Sequence, residues 1–120
     1  YRKGIMKKQL MFLILNKTGV LSKLLYNLDE SGIKGATVIN SVGMAGVLAT
    51  LEENMSFSPF KMMYSDEGND NKTILMVIDE QQIPIVKKVV VELVGDLSKP
   101  NTAFMFAVPT TYVEGTTCVE

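Results

Sequence analysis

The chain contains no histidine, one cysteine (Cys118) and one arginine (Arg2). Without imidazole, the commonest acid–base group at neutral pH is missing, and Ser41, Ser56 and Ser58 have no such base to activate them. One thiolate with no imidazole is a poor start for a zinc or copper site, and a lone cysteine forms no disulfide within its own chain. The basic residues are scattered and the net charge is −1, so there is no electrostatic footprint for nucleic acid. The basic cluster of Arg2, Lys3, Lys7 and Lys8 precedes the apolar run LMFLIL at residues 10–15, the order of a secretory leader. That run is stopped by Asn16 and Lys17, no small-residue cleavage site follows, and it falls far short of the ~20 residues that cross a bilayer. It reads as a buried strand, with Met6 as a native start and residues 1–5 upstream of it.

The carboxylates suggest no chemistry of their own. Asp29 and Glu30, and Glu52 and Glu53, are sequence neighbours of the kind that is usually solvated. Asp66, Glu67, Asp70 and Asp79 lack the alternating spacing and closing glutamate of a calcium loop. The expectation is a cytoplasmic protein that catalyses nothing, binds no metal or nucleic acid and does not insert into a membrane.

What is present is a core and a repeated order of elements. Of 120 residues, 47% are hydrophobic and 21% charged, which suits one globular domain over 1–120 and excludes overall disorder. The run at 10–15 predicts a first strand. Asn16 and Thr18 offer caps to a helix whose apolar stripe is Val20, Leu21, Leu24, Leu25 and Leu28, ended by Gly32. Residues 36–42 (ATVINSV), rich in β-branched side chains, predict a second strand. The order then repeats. Residues 73–78 (TILMVI) form a strand, Asp79 caps, and Ile83, Val86, Val90, Leu93 and Val94 form a helical stripe that tolerates Pro84 in its first turn. Gly95 closes that helix, and residues 103–108 (AFMFAV) make a fourth strand.

Two βαβ units in tandem predict an α+β, ferredoxin-like βαββαβ sandwich: a four-stranded antiparallel sheet with both helices on one face. Two helices cover one side of such a sheet, yet the strands are apolar nearly throughout. The economical cover for the other side is another copy of the chain. Between the units, residues 43–71 read as a long loop without a clear helix, a length that is commonly functional. Met44, Met55, Met62, Met63, Phe57, Phe60 and Tyr64 in it suit an adaptable partner surface. Alternatively, residues 47–51 and 57–64 pair as a hairpin and pack on their own domain.

Two stretches carry a family resemblance. GIKGATV at residues 32–38, followed by Val42-Gly43-Met44, resembles the turn and second strand of the PII-like (nitrogen-regulatory) signalling proteins. GDLSKPNTAFMFAVP at residues 95–109 resembles the short loop and fourth strand of a compact bacterial branch of that superfamily. The resemblance runs from Lys7 to Gly115. It implies a homotrimer whose sheets face an internal barrel, and a small effector such as ATP, ADP or AMP in clefts between subunits. It also implies a protein partner, a transporter or an enzyme, met through the loop at 43–71. Gly35 and Thr37 would then lie by the adenine, Gly43 would allow close backbone approach, and Lys99, Asn101 and Thr102 would face the ligand from the short turn.

The departures from that pattern are specific. Gly46 stands where nucleotide-binding relatives place an arginine, Phe104 where they place a lysine, and residues 112–120 carry no cation. A triphosphate needs compensating charge or convergent donors, so a less charged adenine ligand, or none, fits these residues better. Tyr64 does not clearly match the loop tyrosine modified in some relatives. A ferredoxin-like amino-acid-sensing module, which pairs sheets edge to edge as a dimer, is the alternative, with a ligand-independent adaptor beside it. The missing histidines disfavour a metal-tolerance relative of the trimeric architecture.

Overall fold

The computed structural model describes residues 7–51 and 70–115. Strand β1 (Lys8–Leu15) is followed by a 3-10 turn (Thr18–Val20), helix α1 (Leu21–Glu30) and strand β2 (Thr37–Val42). Helix α2 (Met44–Leu51) comes next, then strand β3 (Asp70–Asp79), a 3-10 turn (Glu80–Gln82), helix α3 (Ile83–Val94) and strand β4 (Ala103–Pro109). The four strands form one sheet in the order β2-β3-β1-β4, every neighbouring pair antiparallel. This is the double βαβ sandwich that the sequence predicts.

Both faces of the central strands are apolar in sequence, but their burial alternates because successive side chains leave a strand on opposite sides. One face carries Met11, Leu13 and Leu15 of β1, Ile74, Met76 and Ile78 of β3, and Ala103 of β4. Onto it pack Leu24 and Leu28 of α1 and Val86, Val89, Val90 and Val94 of α3. These residues, with Ile33, are one continuous core.

The helix ends follow from backbone chemistry. The N–H of Ile33 bonds to the carbonyl of Leu28 (2.9 Å) and that of Gly32 to Asp29 (3.1 Å), while Gly32 sits at φ +98°. This is a Schellman end, in which glycine takes the left-handed conformation and Ile33 packs back on Leu28. At the other end of α1, neither Asn16 nor Thr18 acts as the predicted cap, since no side chain closes either helical start. The amide of Asn16 is engaged elsewhere, as described below. Asp79 does precede the 3-10 turn that leads into α3, and its N–H is taken by the side-chain oxygen of Gln82 at 2.8 Å.

The segment predicted as a structureless loop differs at both ends. Residues 44–51 are the helix α2, with the N–H of Val47 bonded to the carbonyl of Gly43 (3.0 Å), so this stretch forms no hairpin strand. Its sequence MAGVLATL is apolar on every side and interrupted by Gly46, so it carries no 3.6-residue period to signal a helix. Strand β3 starts at Asp70, three residues before the predicted start, because its polar residues meet polar partners: Asn71 lies opposite Ser41, and Lys72 bonds the side chain of Asn40. The proposed hairpin partner at 57–64 and Tyr64 lie outside the described residues.

Candidate functional site

The sheet face away from the helices is organised in rows set by the register. Val77, Leu10 and Val108 form one row, and Thr37, Leu75, Phe12 and Phe106 the next. Ile39, Thr73, Ile14 and Phe104 follow, and the last row is polar, with Ser41, Asn71 and Asn16. Phe12 and Phe106 stack with ring centroids 4.6 Å apart and planes 12° from parallel, and Phe104 tilts against Phe106. Phe104 is 61% exposed, Phe106 42% and Ile39 45%. A water-facing sheet surface normally alternates to polar residues. Here an aromatic and aliphatic surface faces outward over most of the sheet.

Gly35 and Thr37 line a hollow of about 460 Å³ at the β2 edge, together with Leu10, Ala36, Leu75, Met76 and Val77. Its origin is the staggered start of β2. Pairing begins at Thr37 opposite Leu75, so β3 runs on from Met76 to Asp79 without a strand on that side. The lining holds no charged side chain. Its polar groups are the Thr37 hydroxyl and main-chain amides, a set suited to an uncharged planar group with donors and acceptors along one edge. A smaller hollow of about 200 Å³ lies beneath the same segment, between α1 and residues 33–36, with the exposed Lys34–Asp29 pair (3.3 Å) at its rim.

Gly43 closes β2 and opens α2. A Cβ placed there would come within 3.1 Å of the Asn71 amide nitrogen, so the group approaching this glycine is a side chain of the same molecule. Lys99, Asn101 and Thr102 share a compact turn before β4. The Asp96 carboxylate accepts the N–H (2.9 Å) and hydroxyl (2.8 Å) of Ser98, which holds that carboxyl below its usual range. The N–H of Lys99 bonds to the Asp96 carbonyl at 3.0 Å, and the Thr102 hydroxyl donates to the Lys99 carbonyl at 2.9 Å. Asn101 takes the left-handed conformation at φ +60°, which asparagine tolerates better than most side chains. Thr102 is 8% exposed, and its carbonyl accepts the N–H groups of Asn16 (3.0 Å) and Lys17 (3.2 Å). Its polar groups therefore hold the turn, while the Lys99 ammonium has no partner among the described residues.

These six residues do not converge within one chain. Thr37 and Gly43 are separated by the length of β2, roughly 20 Å at ~3.3 Å per residue, and the 96–102 turn lies at the opposite edge of the sheet, ~14 Å across three strand spacings. Three patches result: the hollow at Gly35 and Thr37, the β2–α2 junction, and the turn. Sequence reasoning missed the residues that complete them, Leu10, Leu75, Met76 and Val77 at the hollow and Asn16 and Asn71 at the junction. Only the strand register relates positions so far apart in the chain.

The sequence matches no family model and no curated protein. Solved structures do match its shape. A functionally unknown protein from Pediococcus pentosaceus superposes with a TM-score of 0.59 at 13% identity, covering 93% of this chain and 100% of its own. The PII protein of Arabidopsis thaliana, solved bound to citrate, gives 0.58 at 14% identity, covering 88% and 78%. A DUF3240 family protein from Shewanella baltica gives 0.58 at 17%, covering 93% and 98%. The chain therefore has the PII-like form of the ferredoxin-like fold. Among the described residues, no helix is long and apolar enough to cross a membrane.

Proposed function

We propose that this chain is a non-catalytic, cytoplasmic regulatory subunit of the PII-like kind, one domain over 1–120. Three copies close their outward sheet faces on one another. A small effector binds between neighbours at the hollow by Gly35 and Thr37, and the segment 43–71 conveys its presence to a protein partner. The observation that carries this reading is the outward face itself. Leu10, Phe12, Ile14, Ile39, Leu75, Val77, Phe104, Phe106 and Val108 form a continuous apolar surface on a chain whose two long helices are both committed to the other side. Contiguous apolar surface of that extent marks an interaction site. Closed rotational symmetry would also bring the β2 edge of one chain towards the β4 edge of the next, with Gly43 at the same end of the strands as Lys99, Asn101 and Thr102 and with Gly35 and Thr37 at the other end.

The lining of the hollow favours the base and sugar of an adenine nucleotide over its phosphates, so adenosine or AMP suits it better than ADP, and ADP better than ATP. The partner-facing role of 43–71 is supported by α2, which turns Met44, Val47 and Leu51 outward. Sedimentation equilibrium tests the assembly: three copies of 13.2 kDa give a particle of about 40 kDa. A stable monomer would overturn the reading, and an edge-to-edge dimer would favour the amino-acid-sensing alternative. Calorimetry with adenosine, AMP, ADP, ATP and cyclic dinucleotides tests the effector. If none binds while a protein partner is retained, the trimer acts as a ligand-independent adaptor.

A further inference from the structure

Asn71 is a primary amide at the start of β3, 8% exposed, on the sheet face that is otherwise largely apolar. Burying such a group is unfavourable unless it is bonded. Its oxygen accepts the side-chain N–H of Asn16 at 2.9 Å, across 55 residues of sequence. Its nitrogen lies against Gly43, where even a methyl group would come within 3.1 Å. Gly43 has no positive φ, so glycine is required there for room rather than for backbone freedom.

Each member of this contact is anchored to a different patch. The main-chain N–H of Asn16, with that of Lys17, is bonded to the Thr102 carbonyl, the last residue of the 96–102 turn. The Gly43 carbonyl receives the first hydrogen bond of α2, from Val47. The two ladders of β1 end just short of this point, at Leu15 opposite Lys72 and Ala103, while the β2–β3 ladder runs through Asn71, opposite Ser41, to Val42 opposite Asp70. Beyond the last rungs of β1, the side chains of Asn16 and Asn71 carry on the path of bonds and packing: Thr102 carbonyl, Asn16, Asn71, Gly43, α2. It runs from the β4 edge to the β2 edge, the full width of the sheet.

We propose that the Asn16–Asn71 amide pair couples the 96–102 turn to the start of α2, so that a change at either end is felt at the other. The link is a property of one chain and holds whatever the assembly state or effector. A merely stabilising pair would lower global stability without selective transmission between the two ends. Coupling instead predicts that a disturbance placed in the turn reaches α2 only while the pair is intact.

The experiment is amide hydrogen exchange followed by NMR on the full chain. Asn101→Ala supplies the disturbance, because alanine tolerates the left-handed conformation worse than asparagine. In the otherwise native chain it should change exchange at residues 44–51 by roughly threefold or more, and in an Asn71→Ala background that change should vanish. Asn16→Ala removes the same bond from the other side and serves if Asn71→Ala does not fold. Gly43→Ala should shift the side-chain amide resonances of Asn16. If Asn101→Ala leaves residues 44–51 unchanged in the native background, or changes them equally without the pair, the link does not exist.

Discussion

Replacing Phe104 by aspartate separates assembly from folding. The ring is 61% exposed in the single chain and stands on the outward face, clear of the helix-covered core. A phenylalanine presents roughly 200 Å² of surface, so ~120 Å² remains for a partner to cover. At ~25 cal/mol per Å² this amounts to about 3 kcal/mol per chain. In a closed trimer the change occurs three times, about 9 kcal/mol in all, and ~1.4 kcal/mol corresponds to a factor of ten. The three-body association constant should therefore fall by about six orders of magnitude, before the penalty for burying a carboxylate is added.

Stability of the isolated chain should change by no more than about 0.5 kcal/mol, as for other exposed positions. Sedimentation velocity over a range of concentrations reads the first effect, and chemical denaturation of the dissociated chain the second. The matched control is Tyr26→Asp on α1, a position 65% exposed on the helix side, which should leave the mass unchanged. The reasoning fails if Phe104→Asp sediments at the mass expected of the proposed trimer, about 40 kDa. It fails equally if the native chain sediments at 13.2 kDa.

Gly95 ends α3 at φ 88° and ψ −153°, a conformation nearly reserved for glycine, so Gly95→Ala should destabilise the chain by about 1–3 kcal/mol, read as a lower denaturation midpoint. Asp96 is held below its usual pKa by the two bonds from Ser98, and Ser98→Ala should raise it in an NMR titration. Because the folded pKa is the lower one, the stability this bond contributes is present above the unfolded pKa and is lost as pH falls through the folded value. Tyr112 behaves in the opposite sense: its hydroxyl donates to the Glu114 carboxylate, which raises its pKa. Its contribution is therefore present below the unfolded pKa and is lost as pH rises through the folded one, and Glu114→Gln should lower the tyrosine's pKa in a spectrophotometric titration.

The strands and both long helices were legible because each rests on local chemistry. Residues 10–15 are too short and apolar for a surface helix, Val20 to Leu28 keep helical spacing, and Gly32 and Gly95 sit where left-handed conformations end helices. Helix α2 was not legible, because MAGVLATL has no polar side to set against its apolar one. The role of Asn16 escapes a sequence reading for a related reason. An asparagine after a strand and before a helix is an ordinary cap, and only the register across 55 residues shows its amide turned to Asn71.

The site was legible in a more limited way, and the limit has a physical form. Gly35 and Thr37 line the hollow, but the hollow exists because β2 begins one residue short of pairing Met76, an offset that no composition reveals. Gly43 needs glycine because another part of the chain comes close, yet what comes close is the Asn71 amide. Thr102 belongs to the turn, but its hydroxyl and carbonyl are both used in holding it, which leaves Lys99 as the cation able to reach outward. A sequence reading finds positions where backbone or charge is special. Which neighbour makes them special is decided by strand register, and for the outward face by whatever meets Phe104 and Phe106. The apolar rows of that face end at Asn16, Asn71 and Ser41 on one side and at the Lys8–Asp79 ion pair on the other, so a partner that fits the greasy rows must also present polar groups at both ends. Another copy of the chain, related by rotation about an axis along the strands, sets polar row against polar row and meets that requirement without any further residue.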